Sequence, residues 1–317
     1  MTGRVVSAAC GVREVSVYDA ARMTVESQPL SCPRCEAVTP VDARFCASCG
    51  HELGEASEAD DLLDRIARTT IAAWGQYASR SGGRVVVDHG LTFVVGSHPT
   101  PIIINTVFRT DPAVPPMELF ARSQAFYESI GNRFTLLTSE PKDADLAEVA
   151  EATGWSLAVE VPAMVCRSPV SNVPLPAGAS LRYADPRVDI EALRVVVRDG
   201  FASGDDEVAA VDAVFSSPAA IDEADTVAVI ASVDGDDAAA AMVNVIDGMG
   251  YVGWVGTLPT FRRRGLGELV SRAATNAAYE RGADIVALEA SPMGLPLYAR
   301  MGYETVGIDR IWLPPSA

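Results

Sequence analysis

Tyr251-Val252-Gly253-Trp254-Val255-Gly256-Thr257-Leu258-Pro259-Thr260-Phe261-Arg262-Arg263-Arg264-Gly265-Leu266-Gly267-Glu268 is the stretch on which the fold turns. Tyr251–Thr257 is rich in β-formers and predicts a strand. Leu258–Gly265 is a glycine- and arginine-bearing turn. From Gly267 to Arg281 the apolar residues fall at helical spacing. Strand, glycine turn and helix N-terminus, in that order, make an anion cradle. Glycine lets the backbone approach, amides point at the anion, and the helix dipole adds a favourable field. Arg262, Arg263 and Arg264 add charge-assisted donors. The stretch is not a P-loop, because no Gly-Lys-Ser/Thr follows, and a dinucleotide fingerprint would need a third glycine and a later acidic residue in other places.

Working outward, strands and helices alternate. Downstream the sequence predicts a strand at Asp284–Ala290, a helix at Pro296–Met301 and a strand at Thr305–Trp312. Upstream it predicts a helix around Leu193–Val197 and strands at Val227–Val233 and Ala239–Ile246. A similar order runs earlier: a helix at Asp61–Gly75, strands at Arg84–Val87, Leu91–Val95 and Ile102–Arg109, a helix at Pro115–Ile130, a strand at Phe134–Thr138, a helix at Asp143–Thr153 and strand residues over Ser156–Val165. The two runs align by type at an offset of about 150 residues, the mark of an internal repeat. Ala150-Glu151-Ala152-Thr153-Gly154-Trp155 falls against Tyr298-Ala299-Arg300-Met301-Gly302-Tyr303. Each reads as a helix stopped by a glycine, with an aromatic opening the next strand.

The later run resembles the GNAT superfamily of acyl-coenzyme A-dependent N-acyltransferases. Arg262, Gly265 and Gly267 match its Arg/Gln-x-x-Gly-x-Gly/Ala motif, and Leu288–Tyr303 resembles its strand-five to helix-four segment. The resemblance implies an α/β (α+β) fold in residues 175–317 that binds acetyl-CoA. The amides from Arg263 through Gly265, Leu266 and Gly267 to Glu268 would hold the pyrophosphate. The backbone of Val255, Gly256 and Thr257 would pair with the pantetheine arm. Tyr298 matches the general acid for the departing thiolate. Strand four holds no carboxylate, which leaves Glu289 on strand five as the nearest candidate base. In residues 60–170 the same pattern fails. Asp111-Pro112-Ala113-Val114-Pro115-Pro116 stands where the glycine loop should be, and prolines remove the amides that bind phosphate. Ala150 replaces the tyrosine. The expectation is two tandem GNAT-like mixed β-sheets flanked by helices, the first having lost coenzyme binding.

Ahead of both lie four of the six cysteines: Cys32, Cys35, Cys46 and Cys49. Two Cys-x-x-Cys pairs at this separation predict a tetrahedral thiolate zinc site. Four protein ligands close the site, so the metal is structural. Residues 31–54 resemble the short zinc-ribbon modules of bacterial proteins, too small to fold without metal. Residues 1–30 read as a leader with no fold of its own, and Gly54–Asp61 as an acidic linker.

The chain is 317 residues long and carries a net charge of −17, which argues against nucleic acid and anionic lipid as partners. Between Arg198 and Arg262 there is no Lys or Arg, while Asp199, Asp205, Asp206, Glu207, Asp212, Asp222, Glu223, Asp225, Asp234, Asp236, Asp237 and Asp247 all fall there. An acidic rim would draw a cationic primary amine, on a small molecule or a basic protein segment. No apolar run reaches membrane-spanning length. A cytoplasmic acetyltransferase is the leading expectation. The alternatives are a non-catalytic acyl-CoA sensor, or a scaffold whose ribbon docks a protein partner.

Overall fold

The computed structural model describes residues 58–201 and 204–315, with the strand segments Arg13–Val15 (β1), Leu30–Ser31 (β2) and Val38–Thr39 (β3). The cysteines Cys32, Cys35, Cys46 and Cys49 lie outside the described residues. The first half continues with α1 (Glu58–Arg80), β4 (Arg84–Asp88), β5 (Leu91–Val95), β6 (Asn105–Arg109), α2 (Pro116–Ile130), β7 (Thr135–Glu140), α3 (Ala144–Ala152) and β8 (Ser156–Cys166). The second half has β9 (Ala179–Tyr183), α4 (Pro186–Phe201), α5 (Asp205–Val214), β10 (Thr226–Val233), β11 (Asp236–Ile246), β12 (Met249–Thr257), α6 (Leu266–Glu280), β13 (Ile285–Glu289), α7 (Leu295–Met301) and β14 (Glu304–Leu313). Among the described residues no helix is long and apolar enough to cross a membrane.

The repeat is visible element by element. α2 and α6 are both 15 residues long. β6–α2–β7–α3–β8 runs in the same order as β12–α6–β13–α7–β14. Gly154 and Gly302 both take positive φ, 82° and 99°. Each turns the chain so that Trp155 or Tyr303 enters the core.

The expected pair of sheets is instead one. Twelve described strands form a single mixed sheet in the order β1-β4-β5-β6-β7-β14-β8-β13-β12-β11-β10-β9. The halves join by exchanging their last strands. β8 leaves the first half to pair with β13, through Val286↔Cys166 to Glu289↔Ala163. β14 crosses back to pair with β7, through Ile308↔Glu140 to Trp312↔Leu136. The two exchanged strands also pair with each other along most of their length. Local pattern cannot reveal this, since β8 and β14 carry equivalent alternation and either would satisfy either neighbour.

Helices cover both faces. β10 is buried at every position, as a strand between two helical layers must be. On one face α6 packs through Leu266, Leu269, Val270, Ala274, Ala277 and Ala278. Its three large side chains are nearly inaccessible and stabilise the layer by about 1.5–3 kcal/mol each. On the other face lie α4, α5 and α1. α1 belongs to the first half by sequence, yet it lies against both: Trp74 meets Phe108 of β6 edge-on at 5.7 Å and bonds Tyr251 of β12.

Candidate active site

The decisive geometry is where β12 and β13 part. They pair in parallel only over Met249↔Ile285, Gly250↔Val286 and Tyr251↔Ala287. Beyond Tyr251 β12 keeps its bonds to β11 alone, out to Thr257↔Ala239. The edge of Val255, Gly256 and Thr257 that faces β13 therefore has no strand partner among the described residues, and a wedge opens there. A bulge lies beside it: the β11–β12 register shifts between Ala240 and Met242, and Trp254 takes φ of 53°. Such bulges re-aim backbone groups next to active sites.

The wedge leads to the N-terminus of α6. Gly265 caps the helix at φ 80°, a conformation that favours glycine, and no side chain caps the first turn. The amides of Leu266, Gly267 and Glu268 thus start a helix with nothing but the turn in front of them, which suits a phosphate. Arg263 and Arg264 are exposed at the same turn. Arg262 is turned back instead, donating to Thr257 O at 3.2 Å and Gly200 O at 3.3 Å. It ties the turn to β12 and α4. Glu268 is neutralised by Arg272 at 2.7 Å, which removes a charge that would oppose an anion.

Tyr298 opens onto the α6 face, packed with Tyr303 at 5.7 Å. Burial pushes its hydroxyl up to about 12, so it stays protonated through the neutral range. Glu289 lies on the opposite face. Its Oε2 accepts from Tyr251 Oη at 2.5 Å and its Oε1 from Thr70 Oγ1 at 3.3 Å. Burial pushes the Glu289 carboxyl up, and Asp309 of β14 pushes it further. The structure thus sets Tyr298 and Glu289 on opposite sides of the sheet.

In the first half the corresponding opening is crossed by a buried ion cluster. β6 and β7 pair only over Thr106↔Thr135 and Val107↔Leu136. Arg109, at the end of β6, reaches Asp143 at 2.9 Å and Asp145 at 2.6 Å, ahead of and within α3. Its side chain is 3% exposed. Pro115 and Pro116 stand at the cap and first position of α2. Ala150, counterpart of Tyr298, is buried.

The acidic stretch is less bare than its sequence suggests. Asp199, Asp206, Asp212, Asp225 and Asp237 each pair with an arginine: Arg198, Arg133, Arg194, Arg80 and Arg182. Asp205 lines two neighbouring open grooves of about 490 and 530 Å³ at α5. Sequence reasoning also missed Thr70, Trp74, Tyr251 and Arg109. A buried helical stripe of hydrogen-bonding side chains, Thr70, Trp74 and Tyr77 at i, i+4 and i+7, was the available signal for the first two.

Residues 241–306 match the family model described as Acetyltransferase (GNAT) domain. That match runs from within β11 to the start of β14, the part of the chain that holds the wedge and the α6 turn. No curated protein matches the chain. Among solved structures, a GCN5-related N-acetyltransferase from Kribbella flavida superposes with a TM-score of 0.64 at 24% identity, covering 81% of this chain and 96% of that one. A functionally unknown conserved protein from Staphylococcus epidermidis gives 0.56 at 16% identity, over 74% and 95%. A GCN5-related N-acetyltransferase from Sphaerobacter thermophilus gives 0.50 at 16%, over 74% and 82%. At these identities the likeness is one of fold, and it extends beyond residues 241–306 into the first half.

Proposed function

We propose that the protein is an N-acyltransferase that moves an acetyl group from acetyl-CoA to a primary amine, by direct attack in a ternary complex. The observation that carries this reading is the β12–β13 wedge opening onto an uncapped α6 N-terminus, with a protonated tyrosine on one face of the sheet and a half-buried carboxyl on the other. The α6 amides and turn arginines take the pyrophosphate. The free edge of Val255–Thr257 takes the pantetheine amides as an added strand would. Glu289 accepts a proton from the ammonium. The amine nitrogen then forms its bond to the thioester carbon, a β12 amide at the bulge stabilises the oxyanion, and the carbon–sulfur bond breaks. Tyr298 Oη–H gives its proton to the leaving sulfur, the second proton that the nitrogen loses as the amide forms restores the tyrosine through solvent, and Glu289 releases its own proton to water.

The first half takes no coenzyme in this reading, because Arg109 and its aspartates close its wedge and prolines replace its amides. Acidic residues at the α5 grooves and the net charge of −17 support a cationic acceptor. Zinc at Cys32, Cys35, Cys46 and Cys49 is supported by their spacing and by β2 and β3, which pair on either side of the first cysteine pair. Native mass spectrometry with acetyl-CoA tests the scheme: one coenzyme and one zinc per chain are expected. Two coenzymes would refute the closed first half, and none would refute the enzyme reading. A thiol-release assay against spermine, tobramycin and a lysine-bearing peptide then identifies the acceptor class.

A further inference from the structure

We propose that the first half of the chain supplies the positioning residues for the base in the second half: Thr70 and Trp74, on α1, hold Glu289 directly and through Tyr251. This rests on reading Glu289 as the base. Thr70 and Trp74 lie four residues apart on one face of α1, and both are at least nine-tenths buried. Thr70 Oγ1 donates to Glu289 Oε1 at 3.3 Å. Trp74 Nε1 donates to Tyr251 Oη at 2.8 Å. A tyrosine hydroxyl has one proton. With its oxygen already accepting from Trp74, Tyr251 directs that proton to Glu289 Oε2 at 2.5 Å. Each carboxylate oxygen thus has one donor, and both donors trace back to a helix roughly 220 residues away in sequence.

The donors have work to do at this position. Glu289 faces Asp309 from β14, Tyr251 from β12 and, one turn beyond Trp74, Tyr77 of α1; β8 offers it only Ala163. No cation is among these neighbours. Burial and Asp309 both disfavour the ionised carboxylate, and the Tyr251 and Thr70 hydroxyls favour it. Without them the carboxyl would hold its proton to higher pH and be in the wrong state to accept one from an ammonium.

The test uses the full-length chain with T70V, T70S, Y251F and W74F. One readout is the Glu289 titration midpoint, followed by carboxyl-carbon NMR and assigned with E289Q. The other is the acid limb of kcat/KM for acetyl-CoA with spermine, tobramycin or the lysine peptide, whichever turns over fastest. T70V and Y251F should raise the midpoint by about half a unit to one unit, which is up to tenfold in ionised carboxylate below the midpoint. W74F should move it less, in the same direction, and T70S should restore it. The acid limb should follow the midpoint. A midpoint unmoved in T70V and Y251F overturns the positioning role. A midpoint that moves while the acid limb stays removes Glu289 as the base, and the inference falls with that reading. W74F removes a donor one bond further out, so it carries the test if T70V does not fold.

Discussion

Replacing Arg109 by methionine probes why the first half is closed. Its guanidinium makes four hydrogen bonds, at 3.2 and 2.9 Å to Asp143 and at 2.8 and 2.6 Å to Asp145. The two aspartates respond differently to its loss. The Asp145 side chain is 53% exposed and returns to water at little cost. The Asp143 side chain is 9% exposed and is left charged or protonated without its partner. Breaking a buried pair from one side costs about 3–5 kcal/mol. At roughly 2–3 °C per kcal/mol for a protein of this size, R109M should lose about 6–15 °C of Tm. Circular dichroism melts measure that, and urea titrations give the free energy. R109M/D143L removes the orphaned carboxyl and should recover much of the loss. A loss below about 1 kcal/mol in R109M would refute the argument, because a surface pair contributes no more than that.

Three further outcomes are expected. Y298F should lower kcat by about 10²–10⁴-fold while leaving acetyl-CoA affinity unchanged in calorimetry; full turnover would remove Tyr298 from the chemistry. In E289Q the pH dependence of stability should change sign-specifically. Burial raises the Glu289 pKa in the folded state, so its contribution is complete below the unfolded-glutamate range and is lost as pH rises through the folded value. Wild type should therefore weaken relative to E289Q from pH 5 upward, and urea unfolding at stepped pH would show parallel curves if the carboxyl were unperturbed. In G200A a new Cβ would lie 2.6 Å from Thr257 N and 2.9 Å from Thr257 C, backbone that cannot swing aside. The overpacking should cost about 1–3 kcal/mol and weaken coenzyme binding by displacing β12, and unchanged affinity would show that Thr257 plays no part.

The sequence carried most of the second half. β5 matches its predicted bounds residue for residue, and most of the others differ by one to three residues at their ends. The glycine turn, the α6 start and the repeat were all legible, because glycines, prolines and apolar periodicity are local signals. β9 was missed: Leu181 and Tyr183 are exposed on an edge strand, so no buried face patterned it. α5 was missed because its first turn is Asp205, Asp206 and Glu207, which read as acidic surface although they favour a helix N-terminus. The strand exchange and the Thr70–Glu289 bond depend on partners more than a hundred residues apart, which no window on the chain can pair. Arg109 looked like one arginine among many until Asp143 was placed beside it.

The exchange of β8 and β14 also orders events during synthesis. β7 is made early, yet its neighbour on one side is β14, whose Trp312 donates to Thr138 Oγ1 at 3.0 Å. Until residue 313 has left the ribosome, β7 has an open edge and the Leu136–Thr138 region lacks its cover. The half that emerges first is thus obliged to wait for the half that emerges last, contrary to the usual domain-by-domain order. Unpaired edges attract other chains during such a delay. Chaperone demand in this protein should track the translation time between β8 and β14, and slowing codons within the second half should lower soluble yield even where every finished molecule is equally stable.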